Sequence, residues 1–321
     1  MPDTKSPRFI QTWLADADAE RAAARAALQA TPASVAPKFF YDRLGSHLFE
    51  AITELAEYYP TRTEAAIFAS HGADMAQAIG AGMALIDLGA GNCAKAARLF
   101  PLLEPSRYLA IDISVEFLRD ALRQLQREHP QVRIAGLGQD FSTRLELPAE
   151  LVGDDRPVFF YPGSSIGNFT PSQALEFLKR VRARAGGGGL LIGVDLVKPH
   201  AVLEAAYDDA LGVTAAFNRN ALVHLNRLIA SDFRPRQWRH VAFFDAAASR
   251  IEMHLEARQA IEVSWPGGGR RFAAGERIHT ENSCKYTTSQ FADLLVGAGF
   301  DAPRCWTDPK DWFAVFWAPA R

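Results

Sequence analysis

Three acidic residues stand where a nucleotide-binding protein would need them. Asp87 closes the apolar run ALID and precedes Gly89, Gly91 and Ala94, which follow the pattern G-x-G-x-x-A. Asp112 ends YLAID about twenty residues on, the spacing of a ribose-binding acid. Asp140 comes next, with Phe141 beside it. Glycines between a strand and a helix permit a tight bend and let a ligand approach backbone N–H groups. Asp87 separates the candidate ligands. An acid two residues before the first glycine repels a pyrophosphate at close range. S-adenosylmethionine has no phosphate and brings a sulfonium and an ammonium, both positive, so the same acid favours it. Asp112 can accept ribose hydroxyls from either ligand. Asp140 and Phe141 can bind an adenine amino group and flank its ring. Together these residues favour a class I methyltransferase core over a nicotinamide site.

A second set of residues suits a small polar substrate. FFYPGSSIGNFTP, 159–171, offers Gly163, Ser164, Ser165 and Asn168 after a strand, where open α/β sheets bind ligands. Thr170 and Pro171 suit the cap and first position of the following helix. Tyr207 lies on a helix in AAYDDALGVTAAFNRN, and by itself reads equally well as a buried tyrosine with a satisfied hydroxyl. TENSCKY, 280–286, carries Glu281, Ser283 and Lys285 at alternate positions. In an extended segment all three point to one side. An acid and a hydroxyl there can hold a ring with two nitrogens, although a solvated loop is the competing reading. His254 and His279 show no metal-ligand spacing, and no metal is expected.

The elements that must position these residues alternate between two periods. The pattern predicts helices over 10–30 and 37–55, the second broken near Gly45. Thr61 and Glu64 form a T-x-x-E capping box after Pro60, which predicts a helix start there. From 83 onward the pattern is β-α-β: strands 83–88, 107–112, 132–137, 157–161 and 189–196, with helices 92–102, 115–128 and 171–185. Gly186 to Gly189 precede a strand and so read as an αβ loop. Residues 201–230 are helical, 239–265 alternate like antiparallel strands, and WPGGGRR is a turn. A helix at 287–298 and strands at 301–306 and 311–318 can rejoin the parallel sheet. The expected fold class is α/β, a Rossmann-like class I methyltransferase doubly wound sheet with a second, discontinuous α+β substrate-binding domain. The boundaries read as 62–197 with 286–321 for the first domain and 1–61 with 198–285 for the second.

Composition narrows the class further. The chain has 321 residues with a formal net charge of -2 and no strongly basic segment, so no nucleic-acid footprint is expected. Apolar residues make up 48%, enough for two cores. Cys93, Cys284 and Cys305 are far apart without C-x-x-C spacing, which argues against disulfides or zinc and suits a reducing compartment. The first residues are polar without a signal-peptide core, and no apolar run reaches about 18 residues. A cytoplasmic monomer with no membrane partner is the expectation.

The segments together resemble the histidine-specific Nα-methyltransferases of ergothioneine biosynthesis. The resemblance rests on KFFYDRLGSHLFEAITELAEYYPTRTE, LIDLGAGNCAKA, GQDF, YPGSSIGN, AAYDDALGVTAAFNRN, IEMHLEA and TENSCKY, and spans nearly the whole chain. It implies three successive methyl transfers from S-adenosylmethionine to the α-amine of L-histidine, giving hercynine. By that resemblance Gly89 and Lys95 contact the methionine part of the cofactor, Asp112 the ribose, and Asp140 and Phe141 the adenine. Tyr58, Gly163, Asn168 and Tyr207 surround the substrate amine and carboxylate. Glu281 and Ser283 grip the imidazole, Met253 walls the pocket, and Tyr41 lies near the reacting centre and the cofactor. Tyr41, Asn168 and Tyr207 are thus the residues expected to act in the transfer. Asn282 departs from the family pattern, which has an apolar residue there. The runner-up readings are a class I methyltransferase acting on another amino acid or small amine and, from a different class, an NAD-dependent oxidoreductase. The latter would want an apolar residue at 87.

Overall fold

A computed structural model describes residues 6–11 and 17–321. Residues 1–5 and 12–16, which include part of the helix expected over 10–30, lie outside the described set. The chain divides into two compact units.

The first unit takes Pro60–Val197, Lys285–Arg321 and the N-terminal strand Arg8–Gln11. Its centre is an eight-stranded sheet. In spatial order the strands are Arg8–Gln11, Arg133–Gly138, Arg107–Asp112, Ala84–Leu88, Pro157–Tyr161, Gly189–Asp195, Phe313–Pro319 and Arg304–Thr307. All five residues of Ala84–Leu88 are buried, as a central strand covered on both faces must be. The strand order reverses beside Ala84–Leu88, so its carboxyl end is a topological switch point, the place where such sheets bind ligands. Helix Val115–Glu128 buries Leu118, Leu122 and Leu125, one stripe at helical spacing. These side chains join Leu85, Tyr108, Phe160, Leu191 and Val315 in one core.

The doubly wound sheet expected from the β-α-β alternation is present, with three differences. Phe313–Pro319 rejoins it antiparallel to Gly189–Asp195, not parallel, because a short connection from Arg304–Thr307 makes a hairpin. The helix expected over 92–102 is two short ones, Ala94–Ala97 and Phe100–Leu103. Arg8–Gln11 adds an eighth strand, parallel to Arg133–Gly138, in a stretch whose end was read as helix. The segment 1–61, assigned whole to the second domain from sequence, is therefore divided.

The second unit takes residues 17–59 and Lys198–Cys284. A four-stranded sheet runs in the order Ala33–Ser34, Arg277–Cys284, Arg250–Ala257, Trp238–Asp245. A separate hairpin pairs Ile261–Trp265 with Gly268–Phe272, so WPGGGRR is a tight turn that continues into a strand. Helices Ala17–Gln29, Arg43–Thr53, His200–Tyr207 and Val213–Ile229 complete the unit. Phe40 and Phe217 meet at 4.8 Å, and Trp238 packs edge-on against Phe272 at 5.0 Å. The helical break expected near Gly45 falls earlier. Pro37–Phe40 is a short 3-10 turn, and Asp42 starts the next helix by accepting from the Gly45 N–H at 2.8 Å.

Candidate functional site

In the first unit, the Ala84–Leu88 strand ends in a turn whose Gly89 has φ +73°, a conformation that only glycine adopts cheaply. A Cβ at Gly89 would lie 3.5 Å from the Phe141 ring, so Phe141 lies over this turn. Asp112, at the end of its strand, accepts from the Gly91 N–H at 2.9 Å and the Ser114 N–H at 2.8 Å. The Ile113 N–H and the Ser114 hydroxyl also donate to it. Withdrawal from water raises the Asp112 pKa above its ordinary value, opposed by those backbone N–H groups. Asp140 spends Oδ1 on the Ser142 N–H and hydroxyl, so a turn-capping role is real. Its Oδ2 has no partner among the described residues.

Asp87 lies beneath this turn, 1% exposed. The Tyr108 hydroxyl donates to its Oδ2 at 2.7 Å, while Oδ1 has no partner. Burial pushes the Asp87 pKa up to about 7. The Tyr108 bond works against this, Asp112 and Glu64 add to it, and Lys95 lessens it. Asp87, Asp112 and Glu64 thus outnumber Lys95. An orphaned acidic oxygen in a net negative setting suits a cationic ligand and disfavours a pyrophosphate. The residues present therefore fit S-adenosylmethionine.

The loop after Pro157–Tyr161 carries Gly163 at φ +75° and Ser164 at φ +60°. The Ser164 hydroxyl accepts from the Asp195 N–H at 2.9 Å, which holds the bend. Asn168 ends a 3-10 turn over Ser165–Asn168, half-buried, and its amide has no partner among the described residues. Thr170 and Gln173 form a capping box with Pro171 in the first turn, as the sequence implies. Lys95 and Gly163 come together: a Cβ at Gly163 would lie 2.8 Å from Lys95 Nζ. Glu64 explains this proximity. The helix expected to start at the Thr61 capping box starts at Tyr59 instead. Glu64 then leaves the capping role, accepting from the Gly163 N–H at 2.7 Å and from Lys95 Nζ at 2.8 Å. Sequence reasoning missed Glu64 in this capacity. Pro60 was the available signal, since proline favours the first turn of a helix.

In the second unit, strand Arg277–Cys284 runs antiparallel to Arg250–Ala257 with one irregularity. His279 opposes His254 and Glu281 opposes Met253, so Thr280 is an extra residue, a β-bulge. After it, Glu281 and Ser283 share the face of Met253 and Ile251; all four are buried. The opposite face carries His254, Glu252, His279 and Asn282, with His279 Nε2 and Asn282 Oδ1 2.9 Å apart. The Asn282 side chain thus points away from Glu281 and Ser283. The Tyr207 hydroxyl and the Ser283 hydroxyl are hydrogen-bonded at 2.7 Å. Tyr58 is buried, its ring 6.4 Å from that of Tyr207. Tyr41 stands edge-on to Phe49 and Phe217 at 5.8 and 5.6 Å.

Lys285, the third residue of the alternation in TENSCKY, is also buried. It follows the strand's end and belongs to the first unit, where it pairs with Asp195 at 2.8 Å, both side chains at most 1% exposed. Desolvation on that scale requires an opposite charge in contact, and the alternation rule carries no information about where such a partner is. Among the described residues no group of three or more His, Cys, Asp or Glu could hold a metal, and no helix is long and apolar enough to cross a membrane.

The sequence matches, over residues 20–320, the model of a family described as histidine-specific, S-adenosylmethionine-dependent methyltransferases. It is 41% identical over 307 residues to the histidine N-alpha-methyltransferase of Mycolicibacterium smegmatis, covering 93% of this chain and 94% of that one. It is 40% identical over 298 residues to the Mycobacterium tuberculosis protein of the same name, covering 90% and 91%. A fungal relative, ergothioneine biosynthesis protein 1 of Neurospora crassa, is 31% identical over 290 residues, which cover 86% of this chain and 32% of that longer one.

Proposed function

Because the chain belongs to the histidine-specific, S-adenosylmethionine-dependent methyltransferase family, we propose that it methylates the α-amine of L-histidine three times in succession. The product is Nα,Nα,Nα-trimethylhistidine, hercynine, and the reaction is the first step of ergothioneine biosynthesis. The observation that carries this reading is the buried face shared by Glu281 and Ser283, with Ser283 bonded to Tyr207. An acid and a hydroxyl side by side in a buried setting match the two nitrogens of an imidazole. A ring lacking those nitrogens would give neither group a bond in exchange for its burial, at a cost that discriminates strongly.

The first unit holds the methyl donor in this reading. Asp112 takes the ribose, Asp140 Oδ2 and Phe141 the adenine, and Gly89 and Lys95 the methionine part. The donor, when bound, supplies a methyl group activated by its sulfonium. Tyr58, Gly163, Asn168 and Tyr207 hold the substrate's amine and carboxylate, and the unpartnered Asn168 amide is suited to that work. Met253 walls the substrate pocket. The amine needs its lone pair, and removal from water together with nearby positive charge favours the neutral form. Tyr41 offers a π-face for the growing positive charge on nitrogen. Orientation of the amine carries most of the rate. The enzyme works as a monomer in the cytoplasm, in keeping with its three unpaired cysteines.

The test is incubation with S-adenosylmethionine and a panel of amino acids, followed by product masses. A gain of three methyls on histidine alone is expected. No gain, or equal gain on other amino acids, overturns the reading.

A further inference from the structure

Glu64 is 1% exposed, yet its two oxygens serve different elements. Oε2 accepts from Lys95 Nζ at 2.8 Å, on the short helix after the glycine turn. Oε1 accepts from the Gly163 N–H at 2.7 Å, in the loop after Pro157–Tyr161. A third element makes room for it. A Cβ at Gly193, in the Gly189–Asp195 strand, would sit 2.0 Å from Oε1. Burying a carboxylate is costly, and only full engagement in charge-assisted bonds offsets the cost.

Lys95 is held by this arrangement without being used up. Its ammonium has three donors, one goes to Glu64, and no other partner exists among the described residues. Its side chain is 36% exposed. A free lysine on the surface samples many rotamers, and ordering it on ligand binding costs entropy. A lysine already ordered by a buried carboxylate avoids that cost.

We propose that Glu64 is a positioning residue of the methyl-donor site: it pre-orders the Lys95 ammonium for the carboxylate of the donor's methionine part and, through Gly163, ties that contact to the substrate-facing loop. This rests on the donor-binding reading of the first unit. It assigns Glu64, Lys95, Gly163 and Gly193 to one mechanical unit spanning three strand ends.

The experiment is calorimetric titration of S-adenosylhomocysteine into the wild type, Glu64→Gln, Lys95→Ala and the double variant. Glutamine keeps an acceptor for the Gly163 N–H but presents an amide NH₂ to the ammonium, donor against donor. Each single variant is expected to weaken binding about tenfold, and the double variant by less than about twofold beyond Lys95→Ala. A carboxylate that merely stabilises the fold would lower the melting temperature without this coupling to Lys95. Gly193→Ala displaces the same carboxylate while keeping its charge and is expected to weaken binding as Glu64→Gln does, so it reads the link even if Glu64→Gln fails to fold. Wild-type affinity in either folded variant, or effects of Glu64→Gln and Lys95→Ala that multiply, would overturn the proposal. A wild type that binds no S-adenosylhomocysteine would instead overturn the donor-site reading itself.

Discussion

Replacing Asp87 with asparagine should change how stability depends on pH more than it changes stability at acidic pH. Asp87 is buried with one oxygen on the Tyr108 hydroxyl, and its pKa is pushed up to about 7 against the ordinary 3.8. The native state therefore keeps a proton that the unfolded chain releases. The protonated form is accommodated fully below about pH 4, and the benefit is lost as pH rises through 7. Between pH 5 and 8 about two of those pH units lie below the native value. At about 1.4 kcal/mol each, the wild type should lose about 3 kcal/mol that Asp87→Asn keeps. Asparagine retains an oxygen for Tyr108, so the two proteins should be close near pH 4 and already about 1.7 kcal/mol apart at pH 5. Urea unfolding at pH 5, 6, 7 and 8 measures the difference directly. Curves that stay parallel, with a gap constant within about 0.5 kcal/mol, would refute the assignment of a proton to Asp87.

Two further outcomes follow from the site. Glu281→Ala should weaken histidine binding by about 2–3 kcal/mol while leaving S-adenosylhomocysteine affinity nearly unchanged, because it strands the partner groups of one ligand only; calorimetry with each ligand reads this. Gly89→Ala forces a side chain into φ +73° and toward the Phe141 ring. It should cost about 1 kcal/mol of stability and reduce cofactor affinity by a larger factor, checked by thermal melts with and without S-adenosylhomocysteine.

The central sheet was legible because parallel strands leave a strong mark: short apolar runs alternating with amphipathic helices. The direction of Phe313–Pro319 was not, since an apolar run reads the same both ways. Arg8–Gln11 lacked any mark, being four partly exposed residues that gain strand structure only by pairing with a sheet formed far along the chain. Spacing from the glycine turn picks out Asp112, and the end of the third strand picks out Phe141; the first accepts from the Gly91 N–H and the second lies over Gly89. Glu64 was hidden by a local motif that suggested a sufficient alternative role, and its true partners lie 31 and 99 residues away. Lys285 shows another limit: alternation predicts faces within a strand, and Lys285 lies just past its end, paired with Asp195.

The bulge at Thr280 has a consequence for selectivity against the protein's own side chains. On the regular neighbouring strand, His254 and Glu252 are two residues apart and their side chains meet at 2.8 Å. His279 and Glu281 have the same spacing. If Thr280 were paired regularly instead of bulged out they would share a face, and Glu281 would find an imidazole tethered beside it at high effective concentration. No free histidine at cellular levels would displace such a neighbour easily. The bulge turns His279 to the other face, where Asn282 takes its Nε2. The face that carries Glu281 and Ser283 is thereby kept clear of the imidazoles encoded beside it.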